Sequence, residues 1–231
     1  SNGDTNGSEF KVNSYTTGNQ IEPSVVMDTT GNFVVAWQSQ NQDNPGGNDY
    51  GIYVQRYLSN GDTNGSEFLV NSYTNNNQGH PAVSTDNSGN FIVIWGSFAQ
   101  DGSNYGIYGQ RYLNNGNTNG SEFQINSYTT SFQNIPAVKM DNTGNFIVTW
   151  QSYNQDGSNY GIYAHRYLSN GDTNGSEFKV NTFTTSHQRV STVSMDNTGN
   201  FVIIWDSQYQ DGDSNNYGIY AHRYNSLGQP Q

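Results

Sequence analysis

The sequence predicts an all-β fold, a four-bladed β-propeller of four-stranded blades. One observation is the spacing of the four tryptophans, which recur 58, 55 and 55 residues apart and each end the same phrase, from GNFVVAW to GNFVIIW. Another is that each unit of about 55 residues contains four short apolar segments separated by turn residues. A third is that the second segment is apolar on both faces. Such repeats stack into arrays, and radial stacking of small sheets gives a propeller.

The first strand of each unit runs as PSVVMD, PAVSTD, PAVKMD or STVSMD. A turn of the form Asp-x-x-Gly-Asn follows, and its aspartate is expected to accept hydrogen bonds from the turn backbone. A tight hairpin also needs a residue with positive φ, which glycine supplies. The glycines at this position are Gly31, Gly89, Gly144 and Gly199.

The second strand decides the architecture. Phe33, Val35 and Trp37 point to one face, whereas Val34 and Ala36 point to the other. A sheet that is apolar on both faces must be covered on both sides. Blades packed around an axis meet this condition, and an open β-solenoid or half of an eight-bladed dimer are the alternatives.

The third strand reads GIYVQRY in the first unit and GIYAHRY in the last two. The fourth reads SEFKV, SEFLV or SEFQI. The Asn-Gly-Ser runs before the fourth strand, which begin at Asn6, Asn64, Asn119 and Asn174, are formal glycosylation sites but are interpreted as hairpin turns. The recurring arginine of the third strand is expected to pair across strands with the recurring glutamate of the fourth. The arginines are Arg56, Arg111, Arg166 and Arg223, and the glutamates are Glu9, Glu67, Glu122 and Glu177.

A single domain is predicted over residues 1–231, with blade units at 14–71, 72–126, 127–181 and 182–224. Residues 9–13 are expected to close the last blade by pairing with the strand at 218–224, and residues 225–231 to lead into a further unit. The chain is expected to be a soluble segment of a longer protein.

Composition excludes several partners. The net charge is −11 with only eight Lys and Arg, so phosphates could not be neutralised and nucleic acid is not expected. No apolar run approaches a membrane span of about 18 to 20 residues, so membrane insertion is not expected. Cysteine is absent, which excludes disulfides. The abundance of Asn, Gln, Ser, Thr, Gly and Tyr favours an extracellular or cell-surface bacterial protein.

The phrases GNFVVAWQS, DGSNYGIYAHRY and GSEFKVN resemble tandem repeats of large bacterial surface and secreted proteins, which often contain cadherin-like or calcium-binding repeat modules. The resemblance implies propeller blades and adhesion, without a motif-defined site. The Asp-x-x-Gly-x-Phe turn also resembles the Asp-box of sialidase propellers, which is a folding element.

The loop between the second and third strands is predicted to form the ligand surface. Tyrosine rings can stack on sugars while Asn, Gln and Asp bind hydroxyls, so carbohydrate or another polar surface polymer is the expected partner; the alternative is a solvated loop whose aspartate caps a turn. The candidate residues are Asp43, Tyr50, Asp101, Tyr105, Asp156, Tyr160, Asp211 and Tyr217. Ca²⁺ near Asp101, Asp156 and Asp211 is a further hypothesis, because Ca²⁺ prefers clustered oxygens; no other cofactor is expected.

These patterns predict a non-catalytic recognition module and not an enzyme. The alternative is a structural unit of a self-associating filament or adhesin stalk. A hydrolase would need acids that occur in one blade only, and no motif assembles those that do. They are Glu22, Asp49, Asp206 and Asp213. Histidine gives no metal cluster, because His165 and His222 stand where other units have Gln55 and Gln110.

Overall fold

The computed structural model describes residues 7–212 and 216–231, so Asn6 and Asp213 lie outside the described residues. Within these ranges the chain forms β-strands, turns and bends, arranged as four antiparallel sheets in sequence order. The prediction of an all-β fold made of repeated blades is confirmed. The described residues contain no helix long and apolar enough to cross a bilayer.

Three sheets have four strands and the last has three. The first contains β1 (Gln20–Met27), β2 (Phe33–Gln40), β3 (Tyr50–Tyr57) and β4 (Phe68–Leu69). The second contains β5 (Gln78–Thr85), β6 (Phe91–Phe98), β7 (Tyr105–Tyr112) and β8 (Phe123–Gln124). The third contains β9 (Gln133–Met140), β10 (Phe146–Tyr153), β11 (Tyr160–Tyr167) and β12 (Phe178–Lys179). The fourth contains β13 (Gln188–Met195), β14 (Phe201–Gln208) and β15 (Tyr217–Tyr224).

The first strand of each sheet begins before the predicted start at Pro23, Pro81, Pro136 or Ser191 and carries a β-bulge. In β1 the register shifts between Ile21 and Ser24, and Glu22 has a φ of +55°. Proline has no N–H to give to a ladder, so a bulge is where a strand accepts it. The residues at the bulge with positive φ are Glu22, His80, Ile135 and Val190. His80 therefore lies within β5 and not in a loop.

The Asp-x-x-Gly-Asn turns form as predicted. The carboxylate of Asp28 accepts hydrogen bonds from the backbone N–H groups of Thr30 and Asn32 at 2.8 and 3.0 Å. Gly31 has a φ of +89°, and the same turn recurs in the other sheets.

The fourth strands are shorter than predicted. The N–H of Ile52 donates to the side-chain oxygen of Asn71 at 2.7 Å, where a longer strand would have supplied a backbone carbonyl. Asn126 and Asn181 repeat this contact. Because the side chain replaces the ladder, β4, β8 and β12 each end after two residues.

Neighbouring sheets pack face to face through their first strands, β1 on β5, β5 on β9 and β9 on β13. The side chains of Trp95 and Trp150 are fully buried between sheets, as are those of Phe91, Ile92 and Ile94 along β6. Both faces of the inner second strands are therefore covered, as their sequence predicts.

The predicted arginine–glutamate pairs do not form in the part of the chain that the structure describes. In the first sheet Val54 pairs with Phe68, so the register places Glu67 opposite Gln55 and on the other face from Arg56. Arg56 Nη1 instead donates to the carbonyl of Asn114 in the second sheet at 2.8 Å. The glutamate accepts from Gln42 Nε2 and from the backbone N–H of Ser14, at 2.6 and 2.7 Å.

The predicted closure by residues 9–13 is also wrong. Among the described residues the fourth sheet contains three strands, and residues 9–13 form no strand. They lie against the first sheet: the ring of Phe10 is 5.5 Å from that of Tyr57, whose hydroxyl donates to the carbonyl of Val12 at 3.2 Å. Phe68 makes the same ring contact with Tyr112 at 5.4 Å. The segment therefore keeps the contact of a fourth strand with the following sheet, and the four sheets remain an unclosed array.

Candidate active site where the repeat diverges

The units differ in residue type in one layer of the fold, near the start of the first strand and the end of the second. In the second strand a constant tryptophan and a constant serine flank a residue that varies, namely Gln38, Gly96, Gln151 or Asp206. The facing residues of the first strands vary equally; they are Ile21, Gly79, Asn134 and Arg189. The adjoining bulge residues Glu22, His80, Ile135 and Val190 vary as well. The four sheets thus share one strand arrangement but carry different side chains in this layer.

Glu22 and His80 meet across the junction of the first and second sheets. The Oε2 atom of Glu22 lies 2.8 Å from Nδ1 of His80, and both side chains are about two-fifths exposed, at 41% and 42%. The backbone N–H of His80 is held by Gln38 Oε1 at 3.1 Å. The pair is therefore positioned by the bulges and open to solvent.

Tyr105 packs near Gly96 of the adjacent strand, where a Cβ would stand in ordinary contact at 3.4 Å from the tyrosine ring. Burial and then the charge of Glu22 raise the pKa of Tyr105. One predicted ligand tyrosine is thus subject to the charge of a carboxylate that no other unit carries at this position.

Asp206 and Arg189 form a second cluster in the fourth sheet. Oδ1 of Asp206 lies 3.4 Å from Nε of Arg189, whose guanidinium stands 4.3 Å above the ring of Tyr217. Burial raises the pKa of Asp206 above its usual range, although Arg189 and, more weakly, His187 lower it. The result is a half-buried carboxyl that holds its proton more tightly than an exposed aspartate.

Asp206 stands where the first and third sheets have a glutamine that accepts a hydrogen bond from the next sheet. Gln38 accepts from the N–H of His80, and Gln151 Oε1 accepts from the N–H of Val190 at 3.1 Å. No described sheet follows the fourth, so Asp206 faces the unclosed side of the array.

The predicted ligand residues lie at the same end of the strands, with the aspartates turned inward. Asp43 lies across Gly51, and burial raises its pKa. Asp101 and Asp156 accept hydrogen bonds from the N–H groups of Ser103 and Ser158, at 3.0 and 3.2 Å. Asp211 occupies the equivalent turn. The tyrosines Tyr50, Tyr105, Tyr160 and Tyr217 each begin the third strand of their sheet. A ligand surface at these eight residues stays a prediction.

The described ranges contain no group of three His, Asp or Glu side chains that could hold a metal ion. The loop aspartates contribute one carboxylate each and are partly engaged by backbone N–H groups. Ca²⁺ near Asp101, Asp156 and Asp211 therefore stays a prediction.

The residues that sequence reasoning missed are the partners of the unique acids. Glu22 and Asp206 were recognised as unique, but nothing in the sequence alone brings His80 to the first or shows that Arg189 flanks the second. An alignment of the four units would reveal this layer, because its residues differ between units while the residues on either side of them are the same.

No family model and no curated protein sequence matches the chain. Solved structures match over nearly its whole length. The α-L-arabinanase of Penicillium chrysogenum, solved with arabinobiose, aligns with a TM-score of 0.63 at 13% identity, covering 94% of this chain and 67% of that one. The fold is a propeller.

A thermostable family-43 glycoside hydrolase aligns with a TM-score of 0.57 at 11% identity over 95% of this chain and 77% of that one. The GH93 α-L-arabinofuranosidase of Fusarium graminearum, also solved with arabinobiose, gives 0.58 at 11% identity, with 90% and 62% covered. These neighbours contradict the prediction of a non-catalytic module that is not an enzyme, as well as its filament alternative: the structures that share the fold are glycoside hydrolases. A search for local motifs cannot reveal a site whose acids are contributed by different sheets.

Proposed function

We propose that this chain is a carbohydrate-processing propeller of the glycoside hydrolase type, with Glu22 and Asp206 as its working carboxylates. One observation carries the proposal: each is a carboxylate without a counterpart in the other sheets, in the one layer where the repeat diverges, and each is held against a basic side chain. Repetition explains the rest of the fold without reference to function, but it does not explain these two positions.

Glycoside hydrolysis requires two carboxyl groups, one protonated and one ionised. One protonates the leaving oxygen, and the other acts on the sugar or on a water from the opposite side. Asp206, whose pKa burial raises, suits the proton donor. Glu22, open to solvent at 2.8 Å from His80, suits the base or nucleophile.

The surrounding side chains suit a sugar substrate. Burial and then the charge of Glu22 raise the pKa of Tyr105, and Tyr217 lies under Arg189, which contacts Asp206. Aromatic rings offer flat apolar surfaces with polar edges, and Asn134 and Gln151 add amide groups in the same layer. The structural neighbours include an arabinanase solved with arabinobiose and an endo-1,4-β-xylanase, so pentose-containing polysaccharides are the substrates to test first. Such polymers do not enter cells intact, which agrees with the expected extracellular location.

The test is hydrolysis of a panel of arabinan and xylan oligosaccharides, followed by chromatography of the products. Glu22→Gln and Asp206→Asn keep side-chain size and should each lower kcat/KM by about 100-fold or more, the usual size of an acid–base contribution. Asp49→Asn is the matched control, because Asp49 is also an acid of one unit but accepts a hydrogen bond from Asn44 within its own loop. Full activity in either test variant, or binding of the oligosaccharides without any hydrolysis by the native protein, would refute the proposal.

A further inference from the structure

Clefts lie between neighbouring sheets beside the Asp-x-x-Gly-Asn turns, at the opposite end of the strands from the candidate active site. The cleft between the first and second sheets has a volume of about 350 Å³, whereas the two that follow have about 210 and 110 Å³. Each is lined by an arginine that ends a third strand and by an asparagine of the turn after it. The arginines are Arg56, Arg111 and Arg166, and the asparagines are Asn64, Asn119 and Asn174.

The first cleft is the widest because the second sheet departs from the repeat where it faces this cleft. Thr85 lines the first cleft at the position where Met140 and Met195 line the second and third. The turn that follows contributes Ser88, where the other units have threonine. Shorter side chains therefore leave the extra space, and the resulting volume lies in the range of small-molecule sites, roughly 300 to 1,000 Å³.

The second sheet also removes an acid that would face the arginine of this cleft. In the next junction burial lowers the pKa of Arg111 and the charge of Asp172 opposes that change. The counterpart of Asp172 in the second unit is Asn117, which is neutral. Burial alone lowers the pKa of Arg56, and among the described residues Arg56 forms no ion pair. The first cleft thus contains a half-buried positive charge that no acid offsets.

The remaining polar groups of the first cleft leave this charge available to a ligand. One guanidinium nitrogen of Arg56 donates to the carbonyl of Asn114 at 2.8 Å, which uses one of its five N–H groups. The carboxylate of Asp28 also lines the cleft, but both of its oxygens accept hydrogen bonds within its own turn. Asn64 and Ser88 add an amide and a hydroxyl to the lining.

We propose that the first cleft binds an acidic sugar, with its carboxylate on the guanidinium of Arg56 and its hydroxyl groups towards Asn64 and Ser88. A guanidinium holds a carboxylate through two parallel hydrogen bonds, and the carboxylate supplies the negative charge that the cleft lacks. The assignment to a sugar rests on the proposed function, since a polysaccharide-processing protein meets acidic sugars within its substrates. The site would hold the polymer at the end of the strands opposite the working carboxylates.

Calorimetry with two xylo-oligosaccharides of equal length tests the site, one carrying a single glucuronate and one unsubstituted. The native chain should bind the acidic compound roughly 10-fold more tightly or better, the size expected for a charged hydrogen bond. Because the net charge is −11, the chain as a whole does not favour anions, so the preference must arise locally. Equal affinity of the native chain for the two compounds overturns the proposal.

Arg56→Gln should abolish the preference for the acidic compound. Arg111→Gln is the matched control, because it removes the equivalent arginine from the narrower second cleft, and it should keep the preference. Both variants keep a polar side chain, and thermal denaturation shows whether they fold alike. Loss of the preference in both variants, or in neither, contradicts a site at Arg56.

Two further variants restore the residues of the other units in the first cleft. Thr85→Met should fill it and Asn117→Asp should offset the charge of Arg56, so each should weaken binding of the acidic compound. Both residues occur at the same positions of the third unit, which makes misfolding an inadequate explanation of a loss. Unchanged affinity in both variants contradicts the proposal.

Free acetate distinguishes an acidic sugar from a bare anion, with the side-chain N–H signal of Arg56 as the readout by NMR. The glucuronate compound should shift this signal at concentrations at which acetate does not. Equal affinity for acetate overturns the assignment to a sugar.

Hydrolysis of the unsubstituted oligosaccharide separates this site from the proposed function. Arg56→Gln should leave that activity unchanged, because the cleft lies at the other end of the strands. Preferential binding of the acidic compound without any hydrolysis refutes the proposed function and supports the site. Hydrolysis without that preference refutes the site alone.

Discussion

The guanidinium of Arg56 in the first sheet lies flat over Gly116 of the second. A Cβ on Gly116 would stand 2.7 Å from Nε of Arg56, and Nη1 of the same guanidinium donates to the carbonyl of Asn114 at 2.8 Å. The contact recurs for Arg111 over Gly171 and for Arg166 over Gly228. Two features therefore require a glycine at this position: the positive φ of the backbone and the arginine side chain that lies above it.

We expect Gly116→Ala to lower the free energy of unfolding by more than its φ of +88° alone explains. Gly61→Ala is the control: Gly61 has the same place in its turn and a φ of +89°, but nothing lies within 4 Å of its added Cβ. Urea denaturation of both variants should show an additional loss of about 1 to 3 kcal/mol for Gly116→Ala, the usual cost of overpacking. Equal losses would mean that the guanidinium moves aside freely.

Equivalent isoleucines are expected to differ in their contribution to stability. Ile162→Ala removes a fully buried side chain and should cost about 2 to 5 kcal/mol. Ile219→Ala alters a side chain that is 76% exposed and should cost little. Denaturation of the two variants at low concentration checks the difference; a large loss for Ile219→Ala under those conditions would show that the face is already covered within the chain.

Hydrogen bonds from Asn200 and Thr198 lower the pKa of Asp196 to about 2. Because the folded pKa lies below that of an unfolded aspartate, the turn contributes stability above pH 3.8 that is lost as the pH falls towards 2. An NMR titration of the Asp196 carboxyl should show this low midpoint, and Thr198→Ala should raise it. A midpoint near 3.8 in the native chain would contradict the hydrogen-bonded turn.

Removal of Arg189 should raise the pKa of Asp206 further. Burial already favours the protonated carboxyl, and the guanidinium opposes it by stabilising the charged form. A carbon-detected titration of Arg189→Gln against the native chain should therefore move the Asp206 midpoint upward. An unchanged midpoint would show that the 3.4 Å contact contributes little in solution.

Local patterns in the sequence predicted the strands and turns because they depend on near neighbours. The Asp28 turn, the positive φ of Gly31 and the two-sided burial of the second strands all follow from residue types at fixed spacing. The blade units could be drawn from the same repeat.

Relations between units were harder to predict. Arg56 and Glu67 recur together, yet the register places them on opposite faces, so recurrence could not establish contact. Residues 9–13 match a fourth strand in sequence, but sequence does not say whose sheet they complete. Glu22 and Asp206 lie 184 residues apart, and only the stacking of sheets places them in one layer.

Each of these arginines lies over a glycine of the unit that follows its own in the sequence. A donor and an acceptor of this kind exist in every unit, so deleting or duplicating an inner unit would join two ends that already fit. Recombination between near-identical gene segments could thus lengthen or shorten the protein in whole steps while each new joint is assembled from existing parts. Only the few divergent positions would record which unit had been copied.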